Sequence, residues 1–184
     1  YIDDRLASLE AYVPGEQPRG EFIKLNANES PYPPSPAVLA AVRGDEGSML
    51  NMYPDAACRA LDAALAESLG VAPENIVCAN GSDDILNFCF MAYGADGALF
   101  PQITYGFYEV FCALHGIEEK RAPMHEGFAL DPADYFDAHR LVVIANPNAQ
   151  TGVELPQDAI EEIVRHNADS VVVIDEAYVA FGGR

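Results

Sequence analysis

The chain has 184 residues, of which 10 are Lys or Arg and 29 are Asp or Glu, so its formal net charge at pH 7 is -19. A surface this acidic repels phosphate backbones and anionic lipid headgroups, which argues against a nucleic acid or a membrane as partner. Hydrophobic residues make up 50% of the chain and charged residues 21%, a composition typical of a globular fold with a sizeable core. We expect one domain, or one domain with part of another.

Residues 1–48 are rich in proline and lack a regular hydrophobic period, which predicts an extended arm. A short helix is predicted over residues 4–11. A second helix should begin after Ser35, because serine can cap a helix whose first residue is Pro36. We therefore divide the chain into residues 1–48 and residues 49–184.

From residue 49 onward, helical and strand patterns alternate. Apolar runs of strand length are linked by helices of about ten residues, which predicts an α/β fold with a mostly parallel sheet covered by helices on both faces. Gly70 and Gly116 are expected to end two of the helices. The predicted helices span residues 57–69, 83–93, 104–114 and 156–166, and the predicted strands span residues 76–79, 98–100, 118–122, 141–145 and 170–174.

No stretch approaches the roughly 18 apolar residues that a membrane-spanning helix needs. The first residues also lack the basic and apolar regions of an export signal. The four cysteines form no Cys-x-x-Cys pair, and the four histidines do not have the spacing of a zinc hydrolase. We therefore expect a cytoplasmic protein with reduced thiols and no metal.

Polar loops follow four of the predicted strands, at residues 80–84, 101–106, 146–152 and 175–178. Ligands in parallel sheets bind beyond the carboxyl ends of the strands, where loops and helix N-termini converge. These four loops should therefore line one site.

The loop Asn-Gly-Ser-Asp-Asp at residues 80–84 has two interpretations. Ser82 or Asp83 could cap the helix that follows, a common role for these residue types. Alternatively, the backbone amides of Gly81, Ser82 and Asp83 could cradle a phosphate group at the helix N-terminus. A nucleotide site is disfavoured, because neither a Walker motif nor Gly-x-Gly-x-x-Gly is present.

Tyr105 and Asp175 are the other two candidates for chemistry. Tyr105 either belongs to the core or presents a ring on which a flat cofactor can stack. Asp175 directly follows the apolar residues 171–174, so its carboxylate needs a cationic or hydrogen-bonding partner. A helix cap would satisfy it, and so would the protonated nitrogen of a pyridine ring, whose positive charge makes that ring an electron sink.

A phosphate cradle, a stacking ring and a buried acid together are typical of a pyridoxal phosphate site. The chain resembles aminotransferases of the aspartate aminotransferase fold over essentially its whole length. Within that fold, residues 12–15 (YVPG), 24–36 (KLNANESPYPPSP) and 53–55 (YPD) are similar to the histidinol-phosphate aminotransferase family.

The resemblance implies a set of cofactor contacts. The phosphate group would bind at Gly81, Ser82 and Asp83, the pyridine ring would stack on Tyr105, and its nitrogen would pair with Asp175. Tyr178 would hydrogen-bond the phenolic oxygen. The family usually has Asn-Pro-Asn-Asn-Pro-Thr-Gly where this chain has Asn-Pro-Asn-Ala-Gln-Thr-Gly. Ala149 thus replaces the asparagine that holds the ring oxygen, and Asn148 becomes the candidate for that contact, with Asn146 and Gln150 as alternatives.

The resemblance also implies contributions from the arm and from a second subunit. Tyr53 would reach the cofactor phosphate of a neighbouring subunit, which requires a homodimer. Tyr12 and Asn28 would close over the substrate, and residues 1–48 would belong to the family's small domain.

The lysine that binds the cofactor as a Schiff base is the main departure. The chain has two lysines, Lys24 and Lys120, and neither matches the family's lysine, which lies well beyond Asp175. The resemblance therefore implies the N-terminal half of an enzyme, inactive by itself.

The function expected from the resemblance is transfer of the amino group of histidinol phosphate to 2-oxoglutarate, in histidine biosynthesis. Three alternatives stay open: another aminotransferase or a threonine-phosphate decarboxylase of the same fold, a non-catalytic dimerisation scaffold, and a doubly wound flavin or nucleotide binder.

Overall fold

The computed structural model describes residues 1–2, 4–9, 19–44, 49 and 51–182. The chain divides into two compact units, one comprising Tyr1–Ala11 and Ala79–Arg184 and the other Tyr12–Cys78. This division differs from the predicted boundary after residue 48, and the assignment of residues 1–48 to a small domain stays a prediction. Across the described ranges, no helix is both long and apolar enough to cross a membrane.

The larger unit is built on a parallel sheet of four strands in the order β2-β1-β3-β4. Helices connect the strands and cover the sheet, as the alternating pattern predicted. The strands are β1 (Ala98–Pro101), β2 (Glu119–Ala122), β3 (Leu141–Ala145) and β4 (Val172–Asp175). The helices of this unit are α1 (Asp4–Ala7), α4 (Ser82–Tyr93), α5 (Phe107–His115) and α6 (Gln157–Arg165), and those of the smaller unit are α2 (Pro36–Arg43) and α3 (Arg59–Leu69).

The two faces of the sheet carry separate hydrophobic clusters, because successive side chains along β1 and β3 point to opposite sides. One cluster joins Ala98, Phe100, Leu141 and Val143 to buried residues of α4 and α5. The other joins Leu99, Val142 and Ile144 to Ile163 of α6 and to Tyr135, which lies in the short 3-10 helix Pro132–Tyr135. Each fully buried apolar side chain stabilises the fold by roughly 1.5–3 kcal/mol relative to its exposed form.

The outer strands of the described sheet differ in chemistry. The first three residues of β2 are Glu119, Lys120 and Arg121, all exposed. By contrast, β4 begins Val-Val-Ile and is half-buried throughout. Among the described residues, β4 pairs only with β3.

Most of the predicted elements are confirmed within three residues at each end, and β3 has the predicted bounds. The predicted strand at residues 76–79 is wrong, since these residues form no strand. The backbone of Ile76 is extended, with φ -110° and ψ 136°. No described strand lies beside this segment to accept its hydrogen bonds, and an unpaired extended segment is not a stable sheet element.

In the smaller unit, side chains accept hydrogen bonds from backbone amides at the start of α2 and of α3. The hydroxyl of Ser35 accepts a hydrogen bond from the amide of Val38 at 3.3 Å, so α2 begins with Pro36 as predicted. In the 53–55 motif, the carboxylate of Asp55 accepts hydrogen bonds from the amides of Ala57 and Arg59, which starts α3 at Arg59. These amides also hold the pKa of Asp55 below its ordinary value.

Candidate functional site

One small cavity lies where the carboxyl ends of the strands meet the N-terminus of α4. Its volume is about 110 Å³. Four of the residues that the sequence singled out line it, namely Ser82, Tyr105, Asp175 and Tyr178. The remaining lining residues are Ala145, Ala149 and Ala177. The structure thus brings residues from all four predicted loops together at one edge of the sheet.

The last residue of β4, Asp175, has both carboxylate oxygens engaged. The hydroxyl of Tyr108 donates to Oδ2 at 2.7 Å, and the amide of Ala177 donates to Oδ1 at 3.1 Å. The side chain is half-buried rather than dry, because β4 is an outer strand of the described sheet. The predicted need for a hydrogen-bonding partner is met from within the protein, and the carboxylate still borders the cavity.

The N-terminus of α4 has no side-chain cap. Gly81 occupies the N-cap position with φ 87° and ψ 169°, and the helix begins at Ser82. The interpretation of Ser82 or Asp83 as a cap is therefore wrong, since both lie inside the first turn. The first amides of a helix have no intrahelical acceptor, so this end can bind an anion through backbone N–H groups.

Tyr105 lines the cavity and is hydrogen-bonded to the first turn of α4. Its hydroxyl donates to Oδ1 of Asp83 at 3.0 Å, and its ring stacks on Phe107 with centroids 5.6 Å apart. The hydrogen bond uses the Asp83 carboxylate within the protein, so any contact of Asp83 with an anion falls to its backbone amide. The ring of Tyr105 is held while it still lines the cavity.

Asn148 is buried and its carboxamide is used to build the loop at residues 146–152. Nδ2 donates to the carbonyl of Ile103 at 2.8 Å, while Oδ1 accepts from the amides of Gln150 and Thr151. Asn146 is likewise buried and exchanges two hydrogen bonds with the backbone of Leu155. The neighbour that lines the cavity is Ala149, so the cofactor contact predicted for Asn148 stays a prediction.

The remaining predicted residues belong to the other unit. Tyr53 is fully exposed within it, and Asn28 is exposed with a positive φ of 51°. Tyr12 lies outside the described residues. The subunit contact of Tyr53 and the substrate contacts of Tyr12 and Asn28 remain predictions.

Tyr108 is the functional candidate that the sequence did not reveal. It lies in the apolar sequence of α5, where the pattern indicates only a core residue, and its side chain is fully buried. Burial, reinforced by the adjacent Asp175 carboxylate, raises the pKa of Tyr108 far above its ordinary value. The hydroxyl therefore stays protonated and remains a donor throughout the physiological pH range. No local sequence signal marks Tyr108, because Tyr105 precedes α5 and the spacing of three residues between them does not place them on one helix face.

Chemically, the cavity offers two complementary features to a ligand. A fixed carboxylate favours a cationic or hydrogen-donating atom, and an open helix N-terminus favours an anion. A planar ligand with a positively charged ring atom and a phosphate arm satisfies both.

Residues 20–184 match the family model for aminotransferase class I and II. The chain belongs to this aminotransferase family. The family assignment agrees with the α/β fold and with the parallel sheet of the larger unit.

Two relatives of this chain are named histidinol-phosphate aminotransferases. The chain is 47% identical over 182 residues to histidinol-phosphate aminotransferase 2 of Dechloromonas aromatica, covering 95% of this chain and 51% of that protein. It is 45% identical over 186 residues to histidinol-phosphate aminotransferase 1 of Hydrogenovibrio crunogenus, covering 100% of this chain and 52% of that protein. The chain thus spans about half the length of these relatives.

A solved structure of the family shares the fold. The histidinol-phosphate aminotransferase of Sinorhizobium meliloti, solved in complex with pyridoxal-5'-phosphate, is 28% identical and superposes with a TM-score of 0.75. The match covers 83% of this chain and 43% of that one. The predicted resemblance to aminotransferases is confirmed.

Proposed function

We propose that the intact protein is a pyridoxal-phosphate-dependent aminotransferase that transfers the amino group of histidinol phosphate to 2-oxoglutarate. The observation that carries the proposal is the meeting of Ser82, Tyr105, Asp175 and Tyr178 around one cavity. The substrate is taken from the relatives, which are 47% and 45% identical histidinol-phosphate aminotransferases.

The residues present fit pyridoxal phosphate. Its phosphate suits the uncapped N-terminus of α4, where Gly81 leaves room for an anion because nothing lies within 4 Å of the position its Cβ would take. Its protonated ring nitrogen suits the carboxylate of Asp175, and its flat ring suits the face of a tyrosine.

The proposal gives each of these backbone and side-chain groups a definite role. The backbone amides of Gly81, Ser82 and Asp83 bind the phosphate, and Asp175 keeps the ring nitrogen protonated. Tyr105 fixes the plane of the ring and Tyr178 donates to its phenolic oxygen. Pyridoxal phosphate, when bound, supplies the electron sink that allows a proton to leave the carbon next to the substrate's amino group.

Other parts of the reaction fall to groups outside the cavity lining. Lys120 is not among the lining residues, and neither Lys24 nor Lys120 stands beyond Asp175, where the family's lysine is expected. We therefore assign the lysine that moves the proton to another part of the intact protein. Tyr12 and Asn28 bind the substrate. Tyr53 completes the site of a second copy, and the active form is a homodimer.

The intact protein works in the cytoplasm. All four cysteines are free, which suits a reducing compartment.

The experiment is an assay of the intact protein with pyridoxal phosphate, histidinol phosphate and 2-oxoglutarate, followed through glutamate formation. We expect turnover, and we expect Asp175→Asn to lower kcat/KM by roughly a hundredfold, because the loss of a partly buried, hydrogen-bonded charge partner costs about 3 kcal/mol. Asp169→Asn is the matched control. Asp169 precedes the same strand at its other end and forms an exposed pair with His139, so this variant should keep wild-type kinetics.

Substrate competition separates the alternatives. Turnover of an aromatic amino acid but not of histidinol phosphate would discard the substrate assignment while keeping the cofactor. Release of CO2 from threonine phosphate would indicate a decarboxylase instead. An intact protein that neither binds pyridoxal phosphate nor transfers an amino group would be the non-catalytic scaffold.

A further inference from the structure

We propose that Tyr108 is a positioning residue: it acts through Asp175 and sets the carboxylate in the orientation and charge state that pair with the coenzyme's ring nitrogen. The inference rests on the proposed function and extends it to a residue in the hydrophobic core. Tyr108 itself is fully buried and is not part of the cavity lining.

The geometry of the carboxylate carries the argument. Its two oxygens receive one donor each, from the Tyr108 hydroxyl at 2.7 Å and from the Ala177 amide at 3.1 Å. Two donors on two different oxygens fix the rotation of a carboxyl group, whereas one donor leaves it free to turn. Both donors also favour the ionised form, because a carboxylate accepts two hydrogen bonds better than a neutral acid does.

The ring of Tyr108 is held firmly enough to do this. It packs against three aromatic rings: Phe100 at 5.8 Å, Tyr105 at 5.8 Å and Phe90 at 6.0 Å between centroids. Two of these contacts are edge-to-face, with interplanar angles of 67° and 84°. A buried ring in such a cage cannot swing its hydroxyl away from Asp175 without disturbing the core.

The same cage connects the two ends of the coenzyme site. Tyr105 lines the cavity and donates to Asp83 in the first turn of α4. Tyr108, three residues further along the chain and inside α5, donates to Asp175. Two tyrosines in edge-to-face contact therefore hold one carboxylate each, one at the phosphate end of the site and one at the proposed ring-nitrogen end.

The test compares two coenzymes in the intact, coenzyme-free protein. One is pyridoxal phosphate, and the other is its 1-deaza analogue, which has a CH group where the ring nitrogen stands. We expect Tyr108→Phe to weaken pyridoxal phosphate by about tenfold, the worth of one hydrogen bond to a charged group. The affinity for the deaza analogue should be unchanged, because that molecule makes no use of the oriented carboxylate.

Tyr135→Phe is the matched control. Tyr135 is equally buried, but its hydroxyl has no hydrogen-bond partner in the part of the chain that the structure describes. This variant should bind both coenzymes like the wild type. A second variant with 4-aminophenylalanine at position 108 keeps a donor at the same place on the ring and should restore most of the preference for pyridoxal phosphate. It also keeps the test decisive if the phenylalanine variant does not fold.

The outcomes separate this inference from the proposed function. Equal losses for both coenzymes, or no loss for either, in a protein whose wild type prefers pyridoxal phosphate would overturn the role of Tyr108 alone. A wild type that binds both coenzymes equally would overturn the role of Asp175 and this inference, while the proposed function would still be decided by the turnover assay. A wild type that binds neither coenzyme would overturn the proposed function itself.

Discussion

At the scale of single residues, the loop that follows β3 depends on side chains that act as backbone partners. Asn148 makes three hydrogen bonds to backbone groups, and Asn146 makes two. Both side chains are buried, so water cannot replace these hydrogen bonds if the asparagine carboxamides are removed. The first duty of these asparagines is therefore to shape the edge of the cavity.

Asn148→Ala should destabilise the coenzyme-free protein by about 1–3 kcal/mol, because it leaves the Ile103 carbonyl and two amides without their partner. Urea denaturation of the coenzyme-free protein measures the effect. Gln150→Ala, an exposed side chain in the same loop, serves as control and should stay within about 0.5 kcal/mol of the wild type. Unchanged stability of the Asn148 variant together with weaker coenzyme binding would instead indicate a pure ligand role.

The residues that line the cavity were predictable from the sequence, whereas the buried tyrosine that hydrogen-bonds Asp175 was not. Asp175, Ser82 and Tyr105 stand at predictable strand ends and helix starts, and parallel topology brings such positions together. Tyr108 stands in the apolar sequence of α5, where a core tyrosine and a functional one look alike. Its partner is 67 residues away, and no local pattern encodes a contact at that separation.

At the scale of elements, two helices begin near the carboxyl ends of the strands, and each has a glycine at its N-cap. Gly81 before α4 has φ 87° and ψ 169°, whereas Gly106 before α5 has φ -63° and ψ -19°. At both positions an added Cβ would meet nothing within 4 Å. The two sites therefore differ in backbone conformation and not in available space.

Gly81→Ala should cost about 1–3 kcal/mol of stability, because only glycine adopts that backbone conformation without strain. Relaxation of the strained turn should also move the amides of α4 and weaken binding of pyridoxal phosphate. Gly106→Ala is the control and should be neutral or slightly stabilising, since its backbone is already helical. Thermal unfolding with and without coenzyme measures both effects, and equal behaviour of the two variants would refute the argument from conformation.

Element boundaries followed the same physics. The strand β3 was predictable because its five residues are apolar and fully buried between two helical layers. Residues 76–79 have a similar apolar pattern, yet Val77 is 77% exposed and no described strand pairs with them. Local composition indicates a tendency to be extended, but a strand also needs a neighbour.

At the scale of the whole molecule, pH acts on the fold through groups that are buried in their neutral form. Burial raises the pKa of the Cys112 thiol to about 12, from an ordinary value of 9.0. Burial also raises the pKa of Tyr135 and of Tyr108. The unfolded chain releases these protons at lower pH than the folded one, so their contribution to stability is complete below about pH 9 and is lost as the pH rises.

We expect the free energy of unfolding to fall above about pH 9, with Cys112 contributing about 1.4 kcal/mol per pH unit until its folded-state pKa is reached. Urea denaturation of the intact protein at intervals from pH 7 to 10.5 gives the slope. Cys112→Ala removes the titrating thiol, so the slope of this variant should be smaller by that amount, even though its stability at pH 7 is lower. Identical slopes would show that the thiol is not protected by the fold.

The two outer strands of the described sheet differ in how readily a further strand could pair with them. Charged side chains along β2 discourage a further strand from pairing there, so that side behaves as a finished border. Val172, Val173 and Ile174 of β4 are uncharged and therefore do not discourage a further strand from pairing with β4. A strand that paired with the open side of β4 would lie beside Asp175 and would shield that carboxylate from water. Its pairing would therefore strengthen the electrostatic interactions of the coenzyme pocket.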